Sequence, residues 1–204
     1  MTPPCAGLPD PACRLSRAIR RAATVKILVA SLVLWLAALF LINGKPFGIA
    51  QLQELTGGPT ILDMTLTTSP DQVYAVLGAL GEAGRAFDLT RIVPLDLVFP
   101  FTYALFLAVA ISWGLSRWLP ESSPWFLLNL APVLAAAADY CENAGVITLL
   151  FTYPARLDPV AWFVSIMYVV KFLFSAISFI TLLAALAGCA VIVVVHRTGR
   201  SPAS

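Results

Sequence analysis

The sequence predicts an all-α membrane protein: a bundle of four transmembrane helices with a segment of about 50 residues between the first and the second helix. Composition is the first observation behind this class, because 59% of the 204 residues are hydrophobic and 12% are charged, with a mean hydropathy of +0.87. An ordinary soluble domain carries about 25% charged residues. The second observation is that the apolar residues gather in four long runs, and about 20 apolar residues in a helix cross a bilayer.

The N-terminal residues 1–24 are rich in proline and then in arginine, which predicts a disordered basic tail. The first apolar run follows at 27–42. No convincing small-residue cleavage site comes after it, so the run predicts an uncleaved membrane helix rather than a signal peptide.

Residues 43–93 form the long connection. Its stretch 60–67 is β-branched and partly alternating, which is typical of a short strand. Ser69 and Pro70 then fit the N-cap and first position of a helix. Apolar residues at helical spacing predict that this helix is amphipathic and lies on the membrane or caps the bundle; they are Val73, Val76, Leu77 and Leu80.

Three further runs predict spans at about 94–115, 124–151 and 159–195. The last is longer than one crossing needs, which predicts a tilt or an extension beyond the membrane. We therefore expect one membrane domain over 25–196 and a short tail over 197–204.

Basic residues indicate the orientation. The N-terminal tail, the loop between the second and third spans and the C-terminal tail hold eight lysines and arginines, and the opposite side holds four. Because lysine and arginine are retained in the cytoplasm, we expect both termini there and residues 43–93 outside. The tail arginines would bind anionic lipid, and a disulfide between Cys5 and Cys13 is not expected in a reducing compartment.

Polar residues within the apolar runs mark a candidate site. Asp139, Glu142 and Asn143 lie at i, i+3 and i+4 and so share one helix face. A carboxylate in the middle of a membrane helix costs roughly 2.5–3.5 kcal/mol, and Lys171, in the middle of the fourth run, is the obvious counter-charge. The other candidate ligand-binding residues are Asp96, Tyr103, Tyr168 and Arg91.

We expect these side chains to form a polar cleft that opens to the outside. Arg91, just before the second span, would reach Asp96 or a lipid phosphate. The structural alternative is a buried ion pair between Asp139 and Lys171 that only fixes how the helices align.

The sequence excludes or disfavours several kinds of binding site. A net charge of +2 gives no nucleic-acid surface. A single histidine, His196, cannot build a bis-histidine haem site, and the few carboxylates beside Lys171 would make a poor cation cage. We therefore expect no metal and no cofactor.

Two motifs carry a resemblance. The pattern D-x-x-F-P-x-x-Y (Asp96, Phe99, Pro100, Tyr103) and the later D-x-x-E-N (Asp139, Glu142, Asn143) resemble signatures of uncharacterised bacterial four-helix integral membrane proteins. This resemblance implies an architecture in the bacterial cytoplasmic membrane and no activity.

Three functional hypotheses follow. The first is a non-enzymatic protein that binds a small polar ligand, a proton or a lipid headgroup in the cleft. The second is an intramembrane enzyme that modifies lipid, with Asp139 or Glu142 as general acid or base and Lys171 or Arg91 holding an anionic headgroup. The third is a structural or assembly subunit. The expected partners are membrane lipids and, as an open alternative, another protein or a second copy of the chain.

Overall fold

The computed structural model describes residues 10–58 and 61–198, and the side chains of residues 11–58 and 61–195. All regular structure in this part of the chain is helical. The α-helices are α1 (Asp10–Ala22), α2 (Val25–Asn43), α3 (Ile49–Thr56), α4 (Pro70–Ala79), α5 (Gly81–Phe87), α6 (Val93–Asp96), α7 (Phe99–Leu115), α8 (Ala131–Thr152) and α9 (Asp158–Thr198). Two 3-10 helices (Leu62–Met64 and Pro124–Leu130) and a π-helical turn (Asp88–Ile92) lie between them.

Four helical stretches are long and apolar enough to cross a membrane, which confirms the predicted all-helical class with four candidate spans. The first to fourth spans are Val25–Asn43, Gly81–Leu115, Pro124–Thr152 and Asp158–Val195. The second span begins at Gly81 rather than near residue 94, because α5, the π-helical turn and α6 follow one another without a break. The fourth continues to Thr198, so the predicted tail loses residues 197 and 198 to the helix, and 199–204 lie outside the described residues.

The second, third and fourth spans pack on one another as a core. Gly145 allows a close approach of the third and fourth spans, because a Cβ there would lie 2.5 Å from the Val164 side chain. The first span packs mainly against the second, where the rings of Trp35 and Phe106 stack with centroids 5.0 Å apart. Within the described residues the first and fourth spans barely touch. The bundle therefore has a gap between these two helices.

The predicted strand over 60–67 is not observed. Residues 59 and 60 lie outside the described part, and Leu62–Met64 forms a 3-10 helix instead. Residues 61–67, which we call the re-entrant segment, do not all lie outside the bundle. Thr67 is hydrogen-bonded to Ser165 (Oγ1 to Oγ, 2.7 Å), and Asp63 contacts Lys171. Because Ser165 and Lys171 are six residues apart in α9, the segment runs about 9 Å along that helix, and Asp63 reaches a level about 20 Å from its start.

Helix α4 begins at Pro70 with Ser69 as its N-cap, as the sequence predicts; the Ser69 hydroxyl accepts from the backbone N–H of Gln72. Its buried residues Val73 and Leu77 join an apolar cluster with residues of the third and fourth spans. An exposed ion pair between Asp71 and Arg156 (2.7 Å) fixes the helix over the turn between those spans. This end of the bundle is closed by apolar packing.

The N-terminal region differs from the predicted disordered tail, of which residues 1–9 lie outside the described part. Asp10–Ala22 is an amphipathic helix that packs at the opposite end of the bundle. Asn129 donates to the backbone carbonyl of Ser16 (3.1 Å), and Arg20 donates to that of Glu121 (2.7 Å). The buried apolar face, invisible in a count of prolines and arginines, provides the packing energy that orders the helix.

The state of Cys13 also differs from the sequence expectation, which was that its thiol is not in a disulfide. Its side chain is 1% exposed and disulfide-bonded, whereas the sequence reasoning expected a reduced thiol. That expectation rested on the compartment assigned from the basic residues, not on the geometry around the sulfur.

Candidate functional site

Lys171 is the centre of a buried ionic cluster. Its ammonium contacts Asp63 of the re-entrant segment, Glu142 of the third span (Nζ to Oε2, 2.7 Å) and Asp139 of the same span (Nζ to Oδ1, 3.5 Å). The lysine side chain is 14% exposed and that of Glu142 is fully buried. Because an ammonium has three N–H donors, its hydrogen bonds to the Asp63 carboxylate, the Asp63 backbone carbonyl and Asp139 use the full donor capacity of Lys171. Glu142 is paired with it by charge alone.

A second layer of polar groups surrounds this centre. Tyr103 donates to Asp139 (Oη to Oδ2, 3.1 Å), and Asn143 donates to the backbone carbonyl of Asp96 (3.3 Å). One carboxylate oxygen each of Asp63, Asp96 and Asp139 lies within 4.8 Å of the others. This triplet is close enough to share a cation, although the Lys171 ammonium occupies part of the same space.

Carboxylates outnumber lysine in this cluster. Asp63, Asp96, Asp139 and Glu142 surround one ammonium, and within the described residues no other basic side chain forms an ion pair with them. Both Glu142 oxygens are buried without a hydrogen-bond partner, although Oε2 lies 2.7 Å from the Lys171 ammonium. Because an isolated buried charge is costly, the excess negative charge calls for protons or a cation.

A cavity of about 360 Å³ lies against the cluster. Asp63, Asp139 and Lys171 line its polar side, with Ser175 nearby. Most of the remaining wall is aromatic: Trp35, Phe99, Tyr103, Tyr168, Phe172 and Phe179. The indole Nε1 of Trp35 is buried without a hydrogen-bond partner. The cavity therefore combines a charged end, aromatic walls and an unsatisfied donor.

The cluster lies midway along the bundle. Asp139 precedes the end of α8 at Thr152 by 13 residues, and Lys171 follows the start of α9 by 13, which places both about 20 Å from that end. Towards the other end, Trp118 donates to the carbonyl of Ala185, 14 residues beyond Lys171. The site is therefore about 20 Å from either end.

The cavity reaches the side of the bundle. Phe172, Met64 and Phe179 line it and are 67%, 52% and 46% exposed. They lie beside the gap between the first and fourth spans. The apolar cluster under α4 covers one end of the bundle, whereas the cavity opens at the side, and the expected cleft that opens to the outside stays a prediction.

Seven of the eight predicted site residues come together. Asp96, Asp139, Glu142 and Lys171 lie in the cluster with Tyr103 and Asn143, and the Tyr168 ring centroid is 5.5 Å from the Lys171 ammonium. Arg91 does not join them: it is exposed, with its guanidinium 5.8 Å from the ring centroid of Phe47.

Sequence reasoning missed Asp63 and Trp35. Asp63 is not among the residues that the sequence predicted for the site, and the available signal was a single acidic side chain set between apolar neighbours. Asp88 was also missed; it is 2% exposed in the π-helical turn.

Comparisons with models of protein families, with curated proteins and with solved structures find no match. This outcome is consistent with the resemblance of the two motifs to proteins that carry no known activity. The site geometry is therefore the basis for the functional proposal.

Proposed function

We propose that this protein is inserted in a membrane by its four spans and binds a small polar ligand in the cavity beside Lys171. The observation that carries the proposal is that the buried ionic cluster forms one wall of a cavity of about 360 Å³. An ion pair that only fixed helix alignment would need one carboxylate and no adjoining space, so the cavity and the additional carboxylates favour a ligand.

Membrane insertion is supported by where aromatic and charged residues lie along the spans. Trp113, Trp118 and Trp125 gather at one end of the bundle, and the Arg117 guanidinium lies 4.3 Å from the ring centroid of Trp113. Tryptophan and arginine at this level are typical of the interface between lipid and water. With this end at one interface, the cluster would lie near the middle of the membrane.

The orientation that we propose places both termini in the cytoplasm, since eight of the twelve lysines and arginines outside the spans' centres are at that end. The disulfide of Cys13 favours the opposite orientation, because disulfides persist mainly in oxidising compartments. We give the basic residues more weight because they are spread over three separate segments. The motif resemblance suggests the bacterial cytoplasmic membrane, whose lipids would be direct partners.

The enzymatic alternative has less support. A lipid-modifying enzyme would need a cation for the anionic headgroup, but the donors of Lys171 are directed to Asp63 and Asp139 and Arg91 lies elsewhere. A protein that binds a ligand without modifying it does not need a free ammonium at Lys171 or a guanidinium from Arg91 in the site.

The test is native mass spectrometry of the gently extracted protein. We expect a bound small molecule on the wild type that is lost or strongly reduced in Asp139→Asn, because Asp139 lines the cavity and accepts from Tyr103. The matched control is Glu82→Gln, which removes an exposed carboxylate at the end of the bundle.

An adduct that survives equally in both variants would place the ligand elsewhere. No adduct on any variant, with Asp139→Asn merely less stable, would contradict the proposal and favour the structural or assembly role.

A further inference from the structure

We infer that the polar group of the ligand is a cation carried on an apolar organic body, and that the ligand enters the cavity sideways from the membrane. This inference rests on the proposed function and adds the sign of the ligand's charge and its route. It is carried by the charge imbalance of the cluster, the aromatic walls and the position of the opening.

The charge argument begins with Lys171. Three carboxylates already share its ammonium, and Asp96 lies beside two of them. An anionic ligand would meet this excess of carboxylates with no cation free to bind it. A cationic ligand would instead supply the positive charge that the four carboxylates lack.

The aromatic argument concerns the rest of the wall. The faces of aromatic rings carry negative charge density and attract cations, most strongly where water is excluded. Trp35, Tyr103, Tyr168 and Phe172 offer such rings around one cavity. The indole N–H of Trp35, a residue that lines the cavity, is buried without a partner, which indicates that this wall is incomplete without an occupant.

The route follows from exposure. The exposed side chains at the cavity belong to the fourth span: Phe172 directly follows Lys171, and Phe179 lies about two turns beyond it. At that level a membrane-inserted bundle faces lipid, and the gap beside the first span leaves a way in. A ligand that partitions into the bilayer could therefore reach the carboxylates without passing the apolar cluster under α4.

The experiment uses two probes of nearly identical shape and opposite charge, tetraphenylphosphonium and tetraphenylborate. Full-length protein in nanodiscs of phosphatidylcholine is equilibrated separately with each probe, and binding to empty nanodiscs is subtracted. We expect saturable binding of tetraphenylphosphonium, near one per protein, and no saturable binding of tetraphenylborate.

Variants connect the binding to the cavity. Asp139→Asn should weaken tetraphenylphosphonium binding roughly tenfold, the effect of losing one contact to a charged group. Phe172→Leu keeps an apolar side chain without the ring and should weaken it a few-fold, and because Phe172 is 67% exposed this change leaves the core intact. Glu82→Gln should bind as the wild type does.

The outcomes separate the two proposals. Saturable binding of tetraphenylborate that depends on Phe172 would overturn the cationic ligand and leave a ligand-binding cavity. Calcium ions that displace tetraphenylphosphonium through Asp139 would indicate a metal site and also overturn the organic cation. If neither probe binds saturably, the inference is wrong, and the native mass spectrum decides independently whether any ligand is present.

Discussion

Among the residues that the structure describes, Lys171 and Arg156 each contact more than one carboxylate, and the two differ in burial. Lys171 contacts three acidic side chains and is 14% exposed, whereas the side chain of Arg156 contacts two, Asp71 and Asp158, and is 48% exposed. Water screens the second set of interactions and competes for every donor. Around Lys171 little water is present, so the charge of each side chain must be balanced by other groups of the protein.

We therefore predict that Lys171→Met lowers the free energy of unfolding by about 3–5 kcal/mol, the cost of leaving buried partners unpaired. Arg156→Gln, the matched change at the exposed cluster, should cost less than about 1 kcal/mol. Thermal unfolding followed by circular dichroism in one detergent compares the two.

A rescue variant controls for a simple packing defect at this position. Adding Glu142→Gln to Lys171→Met removes one orphaned charge and should recover part of the loss. If Lys171→Met were no more costly than Arg156→Gln, the cluster would have to be hydrated rather than ion-paired.

Residue spacing predicted part of this cluster. Asp139, Glu142 and Asn143 were grouped because i, i+3 and i+4 share a helix face whatever the helix packs against. Lys171 was predicted as their partner because it is a basic residue in the middle of the fourth apolar run. Asp63 could not be found this way, because its contact with Lys171 joins residues 108 apart and no local periodicity encodes such a pairing.

At the scale of elements, the re-entrant segment is the least regular part of the site. Gly57 and Gly58, with φ of 77° and 116°, turn the chain immediately before it, in a conformation that other residues rarely adopt. Irregular backbone at membrane depth is tolerated only where protein or a cavity surrounds it. The β-branched composition of 60–67 predicted a strand, but in the described residues no second strand exists to pair with it.

Two leucines in this segment provide a matched prediction. Leu62 is 2% exposed and packs in the apolar cluster under α4, whereas Leu66 is 60% exposed. Leu62→Ala should lower the free energy of unfolding by about 2–5 kcal/mol, and Leu66→Ala should change it by no more than about 0.5 kcal/mol. Chemical denaturation in mixed micelles measures both, and equal small effects would mean that the segment lies on the surface.

At the scale of the whole molecule, hydropathy located the four spans because the requirement for apolar length is independent of neighbours. It did not predict which spans pack together. The gap between the first and fourth spans depends on side-chain fits such as Gly145 against Val164 and Trp35 against Phe106, which leave no trace in average hydropathy.

The proposed orientation predicts opposite accessibility for two exposed glutamates. Glu54 in α3 and Glu121 in the loop before the third span lie at opposite ends of the bundle. In intact cells, a membrane-impermeant maleimide should label Glu54→Cys and spare Glu121→Cys, with both labelled after the membrane is opened. The reverse pattern would invert the topology and place the Cys13 disulfide in the oxidising compartment.

The 108 residues between Asp63 and Lys171 also impose an order on biosynthesis. A ribosome adding about 5–20 residues per second needs roughly 5–20 seconds to translate that distance. If the chain is inserted in a membrane as proposed, Asp63 and Asp96 would leave the ribosome well before Lys171 has been made, whereas Asp139 and Glu142 precede it by only 32 and 29 residues. The site would therefore be completed only with the last helix, and a chain truncated before Lys171 would lack the counter-charge of its carboxylates.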